Sequence, residues 1–305
     1  MPGATGLSND HALASQAEAG RWRLSETGAR ERTKYLVGAA CVAICAIMLA
    51  PLVLSISASL KTTQEAAAIP PTYLTHQLSL DSYMKLWRYE AGLPTYLANS
   101  GGTALLTVIF CLLLTVPAGY ALARFPVPGK EVIFLFLLLA LIIPYQALLT
   151  PVFFMFAQLR LTNTLTGLAI LHTTIQIPFS VYIMRNSFEA VPREIEEAAF
   201  IDGASSLQVL TRVCLPAVRP AIVTVSLFAF ITSWNEFLGA LVMMNRGTTF
   251  TLPLIVANAR QATSVAGTDW GLLQAGTTIS IIPCVLFYVL LQKYYVSGFT
   301  SGAVK

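Results

Sequence analysis

The sequence predicts an all-α integral membrane protein with six transmembrane helices, and three observations lead there. Hydrophobic residues make up 55% of the 305 residues and charged residues only 11%, whereas a soluble domain carries about 25% charge. Apolar segments of about 20 residues, which is the length a helix needs to cross a bilayer, recur six times. These segments lack the period-two alternation of barrel strands. Because only helices and closed barrels satisfy the backbone hydrogen bonds in lipid, the segments are predicted to be helices.

Six apolar segments therefore qualify as spans. Five contain no Asp, Glu, Lys or Arg, and the fifth along the chain contains only Glu236. Prolines within the spans are expected to kink them, because proline removes a backbone donor. The predicted spans cover residues 35–57, 99–123, 132–154, 164–184, 221–244 and 272–292, and the prolines are Pro117, Pro144, Pro151, Pro178 and Pro283.

The remaining segments complete the predicted organisation. Residues 1–34 are rich in Ala, Gly, Ser and charge, which predicts a disordered tail before the first span at 35–57. Residues 58–94 form a loop punctuated by Pro and Gly. The main unit is predicted at 95–291, with five spans, and a short tail follows at 292–305.

The basic residues predict the orientation. An even number of crossings puts both termini on one side of the membrane. With both termini inside, 13 of the 19 Lys and Arg residues face the cytoplasm, as the positive-inside rule requires. We therefore expect a multi-pass protein of the bacterial plasma (inner) membrane with both termini cytoplasmic. The net charge of +4 is too small to indicate a nucleic-acid partner.

A polar segment at 192–216 separates the fourth and fifth spans and falls on the cytoplasmic side in this topology. Gly203 permits a sharp turn that a Cβ would hinder, and Ser205 or Ser206 is suited to cap a second helix. We expect that helix to run to residue 213 and to end at Pro216. The alternative is an amphipathic hairpin lying on the bilayer, but such helices usually carry aromatic residues and a basic face, whereas this segment opens acidic and small.

The spacing within this segment also resembles a known motif. Glu197-Ala198-Ala199 is followed after three residues by Gly203, and Val213-Cys214-Leu215-Pro216 follows nine residues later. This pattern resembles the EAA loop, the cytoplasmic coupling loop of permeases in binding-protein-dependent ABC importers. By this resemblance, the residues that couple to the ATPase are Glu196, Glu197, Ala198, Ala199, Asp202, Gly203, Ala204, Leu215 and Pro216.

Two further stretches resemble the carbohydrate branch of that family. They are Phe-Ala-Phe-Ile-Thr-Ser-Trp-Asn-Glu-Phe at 228–237 and the C-terminal run at 295–305. Both resemble the second permease of the maltose and glycerol-phosphate systems. The resemblance implies the type I (MetI-like) permease fold, with a peripheral first span and five core spans.

The resemblance also implies partners and a solute. The unit would contain a second, different permease, two copies of an ATPase and an external solute-binding protein, and it would import a sugar, polyol or oligosaccharide. The chain is predicted not to be an enzyme and to bind no cofactor itself, because Gly129-Lys130 is followed by Glu131 and lacks the rest of a Walker A motif. ATP would be bound by the partner.

Four polar or aromatic residues within the spans are candidates for the solute pathway. A carboxylate within a span costs about 2.5–3.5 kcal/mol on insertion scales, which marks it as a functional candidate. One interpretation is that the carboxylate hydrogen-bonds sugar hydroxyls while Trp stacks on the sugar ring. The others are that it braces helix packing or that it lies near the outer interface, where aromatic belts are common. The candidates are His172, Trp234, Asn235 and Glu236.

Three alternatives remain at this stage. The solute of an importer permease could be something other than a sugar. A self-contained secondary transporter would usually show inverted repeats and several buried ionisable residues, and the spans offer one carboxylate. A membrane enzyme would need clustered Asp, His or Arg, but the three histidines lie in separate regions without metal-ligand spacing.

Overall fold

The computed structural model describes residues 7–66, 68, 72, 75–262 and 269–302, and this part of the chain is helical, without strands. Contacts divide the chain into two units, Met1–Ser55 and Ile56–Lys305. The helices before the central loop are α1 (Leu7–Ser59), α2 (Thr63–Ala66), α3 (Asp81–Trp87), α4 (Leu93–Arg124), α5 (Lys130–Ala140), α6 (Tyr145–Gln158) and α7 (Leu165–Glu189). The later elements are α8 (Arg193–Ile201), α9 (Ser206–Gln208), a π-helix (Val209–Cys214), α10 (Leu215–Ala217), α11 (Arg219–Asn235), α12 (Leu238–Met243), a 3₁₀ turn (Gly247–Thr249), α13 (Leu252–Ala262) and α14 (Trp270–Gly302).

Within the part of the chain that the structure describes, four helical segments are long and apolar enough to cross a membrane, and six result if each of two bent pairs counts as one span. The four are Thr33–Ser59 within α1, all of α4, all of α7 and Trp270–Leu290 within α14. The bent pairs are α5 with α6, at 101°, and the 206–217 segment with α11, at 78°.

Two predicted spans are not continuous helices, which corrects the expectation for 132–154 and 221–244. The first breaks between Ala140 and Tyr145, where Pro144 has extended backbone and precedes α6. Proline lacks the N–H that would continue the ladder and disfavours the helical region for the residue before it. The second breaks after Asn235, since Glu236 is extended with φ −69° and ψ 126°.

Both chain ends are more helical than predicted. α1 begins at Leu7, so residues 7–34 are helical where composition predicted disorder. Ala, Glu, Arg and Leu recur through this stretch and are strong helix formers, and their propensity outweighs the polarity of the segment. α14 likewise continues to Gly302, past the predicted end at 292, while residues 1–6 and 303–305 lie outside the described residues.

The centre of the larger unit is the packing of α4 against α7. Gly119 allows the close approach: a Cβ built there would lie 2.6 Å from the Cβ of Met184. Near this contact a core forms from Tyr120, Phe188 and Cys214 together with neighbouring apolar residues. Many apolar side chains on the same helices point outward, such as Leu113 on α4, as expected of surfaces that face lipid or a partner subunit.

An ion pair connects α3 with the residue directly before α14. Lys85 Nζ lies 2.9 Å from Asp269 Oδ2, and Asp269 also accepts the backbone N–H of Leu272 at 3.0 Å. Burial raises the pKa of Asp269, but the hydrogen bonds from Lys85 and Leu272 outweigh it and leave the pKa below its ordinary value. The carboxylate is therefore held in its charged form at neutral pH.

Candidate functional site

The polar segment between α7 and α11 folds as a helical hairpin. α8 ends at a turn in which Gly203 has φ +85°. This is a left-handed backbone conformation that residues other than Gly and Asn rarely adopt. The Gly203 and Ala204 amides close the helix end by donating to Phe200 and Ala199, both at 3.0 Å. The predicted turn at Gly203 is confirmed.

A capping box starts the second arm of the hairpin, and of the two predicted candidates, Ser205 and Ser206, the capping residue is Ser205. Its hydroxyl accepts the Gln208 backbone N–H at 3.4 Å, and its own N–H donates to the Gln208 side chain at 2.8 Å. These reciprocal bonds satisfy two donors that a helix start otherwise leaves free.

The end of this arm differs from the prediction, because Pro216 does not terminate it. The chain passes through the π-helix Val209–Cys214 into α10, which contains Pro216, and bends at Val218. In an α-helix the proline ring would collide with the carbonyl four residues earlier, that of Arg212. The wider π-turn, in which the Leu215 N–H donates to Leu210, accommodates the ring.

The two glutamates that open the motif point in opposite directions. Glu197 is exposed, whereas Glu196 is buried and bonded within the chain. Arg124 Nε donates to Glu196 Oε1 at 2.6 Å, with side chains 8% and 7% exposed. Tyr120 Oη donates to Glu196 Oε2 at 3.3 Å. In this conformation Glu197 is therefore accessible for a direct contact with a partner, and Glu196 is not.

The other predicted coupling residues divide in the same way. Ala199, Ala204 and Leu215 are partly buried and pack against the core that contains Val209 and Cys214. Ile201, 86% exposed, adds an apolar side chain to the outer face of the hairpin. The exposed predicted residues are Glu197, Ala198, Asp202, Gly203 and Pro216.

A second polar cluster lies within the spans, around His172. Its Nδ1 lies 2.7 Å from Ser233 Oγ, and its Nε2 lies 3.1 Å from Glu236 Oε2. Thr107 extends the chain by donating to Ser233 at 3.2 Å. The cluster thus connects α4, α7 and α11 through hydrogen bonds between buried side chains.

Glu236 is the centre of this cluster because it joins both helix breaks. Its carboxylate accepts the Gly239 and Ala240 backbone N–H groups at 2.7 and 3.1 Å. These bonds cap the start of α12, just after the break between α11 and α12. The carboxylate also accepts the Tyr145 hydroxyl at 2.9 Å, and Tyr145 is the first residue of α6 after the other break. With His172 the carboxylate has four partners, which is how a charge is tolerated in an apolar bundle.

The four predicted pathway residues therefore have different environments. Trp234 is buried, donates to the Ser280 carbonyl at 3.0 Å and stacks on Phe230, so its ring face is occupied by protein. His172 and Glu236 are buried as well. Asn235 alone of the four is exposed, and its amide donates to Ile231.

Some members of these clusters were not singled out from sequence. Tyr145 and Arg124 had usable signals, namely a polar side chain directly after an in-span proline and a lone cation at a span end. Thr107 and Ser233 had none, because hydroxyls in spans usually bond to their own helix. Among the residues that the structure describes, no group of three His, Cys, Asp or Glu side chains is placed to hold a metal ion.

The fold, together with comparisons with known proteins, identifies a class of protein, the permeases of binding-protein-dependent importers. A solved structure described as a bacterial ABC transporter involved in the import of the acidic polysaccharide alginate superposes with TM-score 0.73 at 24% identity, covering 87% of this chain and 97% of that chain. The family model described as "Binding-protein-dependent transport system inner membrane component" matches residues 115–300. The chain belongs to this family.

Curated relatives extend the match to nearly the whole chain. The trehalose transport system permease protein SugB of Mycobacterium tuberculosis is 32% identical over 281 residues, covering 91% of this chain and 99% of that protein. The arabinooligosaccharides transport system permease protein AraQ of Halalkalibacterium halodurans is 31% identical over 272 residues, covering 88% and 95%. The resemblance to the carbohydrate branch is confirmed, and the chain is an inner-membrane permease of a binding-protein-dependent importer.

Proposed function

We propose that this permease imports a sugar, or a related polyol or oligosaccharide, in an assembly driven by a separate ATPase. The relatives named for trehalose and arabinooligosaccharide transport support the solute class. The assembly contains this chain, a second permease, two copies of the ATPase and an external solute-binding protein. ATP is bound by the ATPase, and this chain supplies half of the pathway.

The observation that carries the proposal is the two-sided α8 hairpin. Glu196 anchors it to the bundle, while Glu197 and Ala198 face outward. An exposed carboxylate beside a small residue allows close approach and an ion pair with a basic group of the ATPase, and Ile201 adds apolar area to bury. The hairpin belongs in the cytoplasm, with both termini, because that topology puts 13 of the 19 Lys and Arg residues inside.

The polar cluster braces the pathway rather than contacting the solute. Glu236 and His172 have their hydrogen-bonding capacity taken up by protein groups and are buried. Asn235, exposed on the same stretch of α11, is the residue of the set that meets the solute. A planar amide that donates and accepts is suited to sugar hydroxyls.

In this mechanism ATP-driven closure of the ATPases moves the hairpin and changes which side of the pathway is open. The solute enters from the binding protein and leaves toward the cytoplasm. ATP shifts the equilibrium because it binds one state more tightly than the other, and its hydrolysis returns the complex to the starting state and drives the cycle.

Two experiments test the proposal. Tagged chain is purified from native membranes in mild detergent, and its partners are identified by mass spectrometry; a second permease, an ATPase and a binding protein are expected. Uptake of a panel of radiolabelled disaccharides and polyols is then measured in proteoliposomes and should require ATP and the binding protein. Uptake by the chain alone, driven by a proton or sodium gradient, would refute the proposal.

A charge reversal tests the docking contact. Glu197→Lys should lose the ATPase on purification, because it replaces an attractive charge with a repulsive one. Asp81→Lys is the control, since Asp81 is also exposed but lies on α3, in the loop predicted outside. Equal ATPase recovery from both variants would rule out Glu197 as the contact.

A further inference from the structure

One end of α4 is connected to the hairpin by charged side chains. Arg124 is the last residue of α4, and its guanidinium makes two contacts in different directions. Nε donates to the Glu196 carboxylate of α8 at 2.6 Å, and Nη2 donates to the Val191 carbonyl, between α7 and α8, at 2.6 Å. One side chain thus holds both the start of α8 and the segment that leads into it.

Tyr120 makes this connection a three-residue cluster, one helical turn earlier on α4. Its hydroxyl donates to the second oxygen of Glu196 at 3.3 Å. Its ring packs edge-on against Phe188 of α7, with centroids 5.3 Å apart. Both Glu196 oxygens are therefore bound by α4, at a place where α4 is itself packed tightly on α7.

The burial of the pair makes it rigid and difficult to replace. Exposed ion pairs contribute little because water and salt screen them, but Arg124 and Glu196 are 8% and 7% exposed. Removing one partner of such a pair leaves an unpaired buried charge, which is strongly unfavourable. Water cannot substitute for the lost contact without opening the junction between α8 and α4.

We infer that Glu196 is a positioning residue that carries the movement of α8 into α4 through Arg124 and Tyr120. The inference rests on the proposed docking of α8 to the ATPase. Adjacent glutamates then have separate tasks: Glu197 contacts the partner outside, and Glu196 contacts the permease's own span inside. Loss of Glu196 should uncouple ATP hydrolysis from transport, whereas loss of Glu197 should prevent assembly.

The test measures ATP hydrolysis and solute uptake together, in proteoliposomes containing the complete complex and its binding protein. Glu196→Gln keeps the size of the side chain and removes its charge. We expect the ATPase to copurify as in the wild type and uptake per ATP hydrolysed to fall by about tenfold or more. Glu194→Gln is the matched control, because Glu194 is exposed on the same helix, and it should leave this ratio unchanged.

Two further variants cover the case in which Glu196→Gln fails to fold. Tyr120→Phe keeps the ring packing and removes one hydrogen bond to the carboxylate, so uptake per ATP should fall by about twofold or more. The charge swap Glu196→Arg with Arg124→Glu should recover a substantial part of the ratio lost in Glu196→Arg alone.

The outcomes separate this inference from the proposed function. A wild-type ratio in both Glu196→Gln and Tyr120→Phe would overturn the inference, as would loss of the ATPase from a well-folded Glu196→Gln complex, which would make Glu196 a docking contact. If Glu197→Lys retains the ATPase, the proposed docking fails instead, whatever the Glu196 variants do.

Discussion

Replacing Gly119 with alanine tests the packing on which the whole bundle depends. A Cβ at this position would lie 2.6 Å from the Cβ of Met184 and 3.0 Å from the Arg185 backbone N. Carbon atoms in contact are normally about 3.5–4.0 Å apart, so α4 and α7 must separate by roughly 1 Å. Since one of the clashing groups is backbone, a rotamer change cannot relieve the clash. Overpacking of this kind costs about 1–3 kcal/mol.

A matched control exists on the same helix. At Gly101 and Gly102 an added Cβ meets nothing within 4 Å, and alanine favours a helix by about 0.8–1 kcal/mol over glycine. Gly119 lies on the same helix and gains the same propensity, so this contribution cancels and the two kinds of variant should differ by the overpacking cost, roughly 1–3 kcal/mol.

The assay is the thermal midpoint of the purified complex, which is measured by fluorescence-detected size-exclusion chromatography after heating. With about 2–4 °C per kcal/mol, Gly119→Ala should melt roughly 2–12 °C below Gly101→Ala. Equal midpoints would show that α4 and α7 are not packed as described.

Further predictions concern the other contacts. In Glu236→Gln the side chain cannot accept hydrogen bonds from all four donors, so the free energy of unfolding should fall by about 1–3 kcal/mol, seen as a lower thermal midpoint. An unchanged midpoint would show that the hydrogen bonds of Glu236 do not stabilise the bundle. Gly239→Ala should act similarly, because its Cβ would lie 2.8 Å from Glu236 Oε2. Gly203→Val should abolish uptake while Gly203→Asn retains it, since the strain there comes from φ +85° in open space and Asn tolerates that region; equal uptake would contradict this reasoning. The Asp269 pKa is lowered in the folded state, so its bond to Lys85 should stabilise the protein above about pH 4, the unfolded value, and lose this contribution as pH falls through the folded pKa. A stability difference between wild type and Lys85→Met that does not shrink as the pH is lowered below about 4 would argue against the pair.

The sequence predicted where the apolar segments lie better than it predicted their shape. The expected span at 164–184 corresponds to α7, Leu165–Glu189, and that at 99–123 lies within α4, Leu93–Arg124. The positions of these helices could be predicted because they depend on the run of apolar residues within each segment itself. The break at Pro144 could not be read from proline alone, because Pro117 and Pro178 lie inside continuous helices.

The functional residues show the same division between local and distant causes. The turn at Gly203 and the cap at Ser205 depend on neighbouring residues and were predictable. The inward direction of Glu196 depends on Arg124, 72 residues earlier, and the role of Glu236 depends on Tyr145, 91 residues earlier. Neither distance leaves a trace in spacing or periodicity, so the hydrogen bonds of Glu196 and Glu236 could not be predicted from the sequence.

The bent pair formed by α5 and α6 also has a consequence for biogenesis. The two halves contain 11 and 14 residues, so at about 1.5 Å per residue each is much shorter than the roughly 30 Å hydrocarbon layer. The carboxylate that receives the Tyr145 hydroxyl at the bend is 91 residues further along the chain and has not yet been synthesised when α6 leaves the ribosome. The hydrogen bond that Tyr145 makes at this bend therefore cannot form until Glu236 has been synthesised and has reached the bundle.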